Sequence, residues 1–230
     1  MSQDPLISRW GVLSAGAAAA AGLIARRLTG QAPSPPACAD PTVAQTPGPY
    51  YPTHDRDDED PDLTQVKGRT GRAKGEVIYV RGRVLDQQCH PVAGALVEIW
   101  QANTWGRYDH EKDAANPRPL DPNFQSWAEM LTDADGGFRF KTIKPGAYPA
   151  DDKGWIRPPH IHFRVSRRGY HELVTQMYFA GEPLNEKDLI RKELAPKDQE
   201  RVTVAFEAAA QDLEAGARLG QFDITLRQVG

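Results

Sequence analysis

From residue 75 to its end the chain repeats one pattern: short runs in which apolar and polar side chains alternate, at 77–85, 95–101, 138–143, 160–166, 173–179, 202–206 and 221–227. Alternation with period two sends one row of side chains into a core and the other away from it, so each run reads as a β-strand. Turn residues punctuate them, with Asp133-Ala134-Asp135-Gly136-Gly137 before one run and Pro145-Gly146 after it. Two later runs read as helices, 185–194 with Asn185 as its N-cap, and 207–214. Strands of this length bury their apolar rows by packing sheet on sheet, so the expected fold is all-β, a β-sandwich with long loops and a few peripheral helices. The hydrophobic share of 40% in 230 residues suffices for such a core.

Charge and cysteine content exclude several function classes. The formal net charge is −3 with both signs interspersed, so the chain lacks the basic footprint of a nucleic-acid binder. Two cysteines, Cys38 and Cys89, allow one disulfide but no cysteine-rich zinc or iron–sulfur site, so any metal must take nitrogen or oxygen ligands. Residues 1–40 read as a leader and linker, and 41–230 as a single domain entered through an extended arm, about 41–75. Residues 11–24 form an uncharged small-and-apolar run of signal h-region length, too short to span a bilayer comfortably. Ser8-Arg9-Trp10-Gly11-Val12-Leu13 is similar to a twin-arginine export signal with Trp10 in place of the second arginine, and Ala37-Cys38-Ala39 has the A-x-A form of a cleavage site. Export to the periplasm is the favoured expectation, with a cytoplasmic location as the alternative. The acidic run 55–62 reads as a solvated loop, since no EF-hand spacing follows it.

Chemistry concentrates in two places. About thirty residues between Gln101 and Leu131 show no strand pattern, whereas a connection in a compact domain runs to about 4–6 residues, and long loops of this kind are functional. The other place is Arg157-Pro158-Pro159-His160-Ile161-His162-Phe163-Arg164-Val165. The prolines deny a helix there, and on a strand His160 and His162 share one face while Ile161, Phe163 and Val165 share the other. Both imidazoles then point to one spot, as a metal pair does, although two surface histidines beside a core strand would look the same. The remaining ligands must be oxygen donors. A carboxylate is the generic choice, and a loop tyrosine such as Tyr108 or Tyr148 is a rarer one that favours ferric iron. His54, His90, His110 and His171 have no spacing partner and read as surface residues.

Several separated stretches, PGPYY at 47–51, the segment 81–110 ending in GRYDH, PLDPNF at 119–124, PGAYP at 145–149, RPPHIHF at 157–163, TQMYF at 175–179 and FDITLR at 222–227, occur in one order. Together they resemble the intradiol ring-cleavage dioxygenases, most of all the iron-bearing chains of the protocatechuate branch, across roughly residues 45–228. The resemblance implies a non-haem Fe(III) cofactor with Tyr108, Tyr148, His160 and His162 as its ligands. It implies that O2 and a catechol-type substrate react there to give a cis,cis-muconate-type diacid. Tyr148 would be the axial tyrosinate that leaves the iron and takes a substrate proton, while Tyr108 stays bound. Arg157 would stabilise charge as the ring becomes keto-like, and Gln176 matches a polar pocket residue. Two phenolates and a hydroxide neutralise ferric iron, which limits the desolvation cost of burying it. Where the protocatechuate branch carries tryptophan this chain has Ala150, so the pocket is expected to be wider and the substrate is not carried over. The resemblance also implies an oligomer, either of this chain alone or with an α-type partner chain.

Two other readings compete. Arg83-Val84-Leu85-Asp86 followed by Pro91-Val92-Ala93-Gly94-Ala95 is a strand-turn-strand pattern common in non-catalytic prealbumin or immunoglobulin-like sandwiches that bind or adhere. A metalloenzyme of another class would complete the two histidines with a carboxylate such as Asp109.

Overall fold

The computed structural model describes residues 40–53, 58–209 and 211–230. Twelve strands are formed among them: β1 (Val77–Asp86), β2 (Leu96–Trp100), β3 (Trp127–Leu131), β4 (Gly137–Ile143), β5 (Tyr148–Pro149), β6 (Ile156–Arg157), β7 (His160–Ser166), β8 (Leu173–Phe179), β9 (Thr203–Val204), β10 (Phe206–Ala208), β11 (Arg218–Gln221) and β12 (Ile224–Leu226). One sheet is built around β1, which pairs antiparallel with β4 and parallel with β11 and then β12. The second runs β3-β2-β7-β8-β9. A small ribbon, β5-β6, stands apart from both.

The two sheets meet through the apolar rows that the alternation marks. The pattern is plainest on β1, where Ile78, Val80 and Val84 are buried and Arg81 and Arg83 exposed. Across from it β7 sends Ile161, Phe163 and Val165 into the same core. Phe163 sits at the centre, its ring 6.1 Å from Phe138, 5.9 Å from Phe140 and 5.0 Å from Phe222, all carried by or next to strands of the opposite sheet. These tilted and edge-on contacts make the fold a β-sandwich, as the periodicity requires.

The differences from expectation lie at edges and ends. Residues 207–214 form no helix. Phe206–Ala208 is the edge strand β10, with Glu207 opposite Leu219 of β11, because an open strand edge offers a ladder that outweighs a weak helical preference. The run 185–194 splits into a 3-10 turn, Pro183–Lys187, and a short helix α1, Leu189–Lys192. Asn185 is not its cap; the side chain is buried and donates to the Phe179 carbonyl at 2.7 Å, and Asp188 caps α1 instead. A second helix, α2 (Pro196–Arg201), follows. Strand β3 lies inside the stretch expected to be loop, hidden because only Ala128 of its five residues is fully buried, which leaves little alternation to read. The run 221–227 is interrupted at Phe222-Asp223, where the Arg83 amide donates to the Asp223 carboxylate.

Residues 40–53 of the arm form no helix or strand and are stitched along the second sheet: the Gln45 amide donates to the Val174 carbonyl and Thr175 Oγ1 to the Val43 carbonyl. Cys89 is disulfide-bonded. The export-signal run, its A-x-A site, His54 and the first residues of the acidic run lie outside the described residues. No helix among the described residues is long and apolar enough to cross a membrane.

Phe163→Ala removes the ring that joins the sheets; denaturant unfolding is expected to show a loss of about 3–5 kcal/mol, the range for truncating a buried aromatic.

Candidate metal centre

Strand β7 begins directly after Pro158-Pro159, and both faces of its first half are buried. Ile161 and Phe163 belong to the core, while His160 and His162, 2% and 1% exposed, face away from it as the H-x-H spacing predicts. His160 Nδ1 donates to the Pro158 carbonyl at 2.7 Å. That bond leaves Nε2 with its lone pair, and Nε2 of His162 lies 3.2 Å from it. The Tyr108 hydroxyl is 3.5 Å from the same His160 nitrogen. The Tyr148 ring stands 5.7 Å from His160 and 5.4 Å from Tyr108, perpendicular to the latter. All four side chains singled out as ligands are therefore gathered in one buried place.

Each tyrosine is delivered by a loop that its own residues shape. Asn103 accepts the Trp105 and Arg107 amides on its side-chain oxygen, and the Tyr108 amide donates to Asp113 at 2.7 Å. The second loop packs backbone against backbone on the first, with the Gly146 amide donating to the Asn103 carbonyl at 2.9 Å. Glycine is required at this crossing: a β-carbon on Gly146 would run into the Thr104 carbonyl and the Gly106 amide, and one on Gly106 into the Ala147 carbonyl. Arg118 clamps the pair by donating to the carbonyls of Trp105 and Ala147.

Arg157 lies beside this cluster, directly opposite Tyr148 in the β5–β6 ribbon. Its guanidinium is buried against Asp188, 2.8 Å away, donates to Gln176 Oε1 at 2.6 Å, and lies over the Trp155 ring. Gln176 in turn donates to the Thr46 carbonyl of the arm. Burial, reinforced by the Arg157 charge, holds both imidazoles well below the usual histidine range, so both are neutral. Burial pushes the Tyr108 phenol well above its usual range, with Tyr148 alongside adding to it. It raises Tyr148 too, against the pull of Arg157.

The arm covers the cluster. Tyr50 stacks on Tyr108 with centroids 4.4 Å apart and meets Tyr148 edge-on at 6.0 Å. Burial, with Asp113 nearby, pushes its phenol up to about 12. Trp100 of β2 lies flat against His162. Sequence reasoning assigned no role to Tyr50, although PGPYY lay in a matching stretch, and none to Trp100. Asp188 gave no signal at all, being one of 31 acidic residues. His110 is half-buried rather than a surface residue, its ring 5.9 Å from Tyr50 and its Nε2 3.2 Å from the Tyr51 carbonyl.

The donor set suits a hard trivalent cation. Two neutral imidazoles present nitrogens only 3.2 Å apart to one spot, and two phenols can each supply an anionic oxygen. Among the described residues no group of three or more His, Cys, Asp or Glu side chains could hold a metal, so Asp109 does not complete a two-histidine-one-carboxylate site.

The chain is similar to several known proteins. A family profile described as a dioxygenase matches residues 46–228. The chain is 44% identical over 183 residues to the protocatechuate 3,4-dioxygenase beta chain of Burkholderia cepacia, covering 78% of this chain and 76% of that one. It is 35% identical over 124 residues to catechol 1,2-dioxygenase of Candida albicans, covering 49% of this chain but only 39% of that protein. Among solved structures, the dioxygenase domain of a dioxygenase and carbohydrate-binding protein fusion from Streptomyces sp. SirexAA-E superimposes with a TM-score of 0.60 at 31% identity. The match covers 83% of this chain and all of that one.

Asp188→Ala leaves the Arg157 guanidinium buried without its carboxylate, and urea unfolding is expected to show a loss of about 3–5 kcal/mol. Replacing both partners, Arg157→Met with Asp188→Leu, is expected to cost less than Asp188→Ala alone, because no uncompensated charge is left behind.

Proposed function

The chain belongs to the intradiol ring-cleavage dioxygenases, and from that premise we propose that it opens a catechol-type ring between its two hydroxylated carbons at a non-haem Fe(III) site held by Tyr108, Tyr148, His160 and His162. Both atoms of O2 enter the product, a cis,cis-muconate-type diacid. The observation that carries the reading is the meeting of the Tyr108 hydroxyl and the Nε2 atoms of His160 and His162 within 3.5 Å contacts, with Tyr148 beside them, in a buried place. The non-catalytic sandwich reading gives no reason for this convergence, and enzymatic relatives across most of the chain replace it.

Ferric iron bound there would supply the electron-withdrawing centre that makes a deprotonated catechol ring susceptible to O2. Tyr108, His160 and His162 would hold it throughout, and the buried neutral imidazoles suit that role because no proton competes for their lone pairs. Tyr148, deprotonated while it held the cation, would be the group that takes a proton from the entering catechol hydroxyl; burial raises its pKa, so the phenol then formed holds that proton firmly. Arg157 favours negative charge developing on the ring beside it. Its own charge is compensated by Asp188, so its field is local and directed by the fixed guanidinium plane. Gln176 acts through Arg157, to which its Oε1 is bonded, and ties it to the arm. Tyr50 walls the space over Tyr108 and excludes water from it. The arm that roofs the site belongs to the same chain, and the resemblance implies that the chain acts in an oligomer, either of this chain alone or with an α-type partner chain.

The purified ferric protein is expected to be red-brown from phenolate-to-iron charge transfer; an iron-loaded, active but colourless sample overturns tyrosinate ligation. Tyr108→Phe and His162→Ala are expected to lose iron or turnover, and Tyr148→Phe chiefly to slow substrate binding in stopped-flow mixing. Oxygen uptake with catechol, protocatechuate and hydroxyquinol, with product identification, sets the substrate, and an extradiol product contradicts the mechanism.

A further inference from the structure

The two histidines of the site are oriented by different means. His160 donates from Nδ1 to the Pro158 carbonyl at 2.7 Å, which is how a ligating imidazole usually has its ring plane and tautomer set. His162 has no counterpart: its Nδ1 is buried and finds no hydrogen-bond partner among the described residues. Its ring lies instead on the indole of Trp100, with centroids 4.7 Å apart and planes 4° from parallel. Trp100 is directly opposite His162 in the β2–β7 register, so the stack follows from strand pairing and needs no loop to hold it.

Trp100 is itself well anchored. It is 1% exposed, and its Nε1 also lacks a hydrogen-bond partner among the described residues. A buried unpaired indole N–H is a cost that a phenyl ring would avoid, so what the site uses is the flat face. Tyr51 of the arm packs edge-on against Trp100, 5.0 Å between centroids at 89°. The Tyr51 hydroxyl donates to Glu98 at 2.6 Å and accepts from Arg164 at 2.9 Å, which pins the arm to β2 and β7.

We propose that Trp100 is the positioning residue of His162: its indole face sets the imidazole plane that, at His160, a hydrogen bond sets. The proposal rests on the reading of these side chains as a ferric site. It makes the two histidines unequal ligands, since an Nδ1–H with an acceptor raises the basicity of the opposite nitrogen and His162 lacks that acceptor.

The full chain loaded with ferric iron tests this. Trp100→Met fills much of the space without a ring, and Trp100→Phe keeps a ring to stack. Trp100→Met is expected to lose iron to excess chelator about 10–100-fold faster than the parent, with an altered ferric EPR line shape, while Trp100→Phe stays within about threefold of it. Near-UV circular dichroism verifies that each variant is folded. A folded Trp100→Met with the parent's iron-loss rate and line shape overturns the proposal, as does a Trp100→Phe impaired equally, since bulk rather than stacking would then be responsible. Should Trp100→Met fail to fold, nitrogen NMR of the parent loaded with diamagnetic Ga(III) decides. A downfield, hydrogen-bonded Nδ1–H is expected for His160 alone, and finding one on His162 as well overturns the proposal. If the parent takes up no ferric iron with a phenolate band, the metal-site reading itself fails; a normal parent with unaltered variants refutes only the role of Trp100.

Discussion

The structure depends on one strand being buried on both of its faces. β7 gives Ile161, Phe163 and Val165 to the sandwich core and turns His160 and His162 the other way, into a second enclosed space. A strand in this position cannot slip by one residue, because the shift would drive imidazoles into the core and phenylalanine into the site. The core therefore holds the histidines in register, and the rigidity that the proposed metal centre needs comes from hydrophobic packing on the strand's other face.

Around those histidines the remaining groups are supplied by segments far apart in the chain. Tyr108 and Tyr148 arrive on two loops that cross at Gly106 and Gly146, Arg157 on a two-residue ribbon, Gln176 from β8, and Tyr50 from the arm. Few of these segments would hold their shape alone. The loops are fastened by Asn103, Asp113 and Arg118, the arm by Gln45, Tyr51 and Gln176, and Arg157 by Asp188. The cost of gathering ionisable groups in a dry place is limited by neutralising them: the Arg157 guanidinium has its own carboxylate, and the imidazoles and phenols are uncharged until a cation draws on their lone pairs.

What could be read from residues followed physical strength. The long strands β1, β4, β7 and β8 were legible because a core selects apolar side chains at every second position over five or more residues. β3 was not, since an edge strand with one fully buried residue leaves no such trace, and neither was β10, whose Phe206-Glu207-Ala208 is extended only because β11 lies next to it. In the site, the shared face of His160 and His162 was legible from spacing, and their burial was not. Tyr108 and Tyr148 stood among the possible oxygen donors, but only the resemblance of their motifs selected them, because a tyrosine in a glycine-rich loop carries no local sign of what it faces. Asp188 and Trp100 were silent, their partners lying 31 and 62 positions away in Arg157 and His162.

By itself the amino-acid order determined that the chain would form strands, that they would pack as a sandwich, and that two imidazoles would share one face next to a proline pair. Those are properties of neighbouring residues, governed by backbone geometry and by the period of burial. Only the tertiary structure decided which oxygen donors face the histidines, which carboxylate compensates Arg157, and that an indole lies flat on His162. Such contacts join residues whose separation along the chain bears no relation to their distance in space, and loop closure and strand register set that distance only once the whole core has packed.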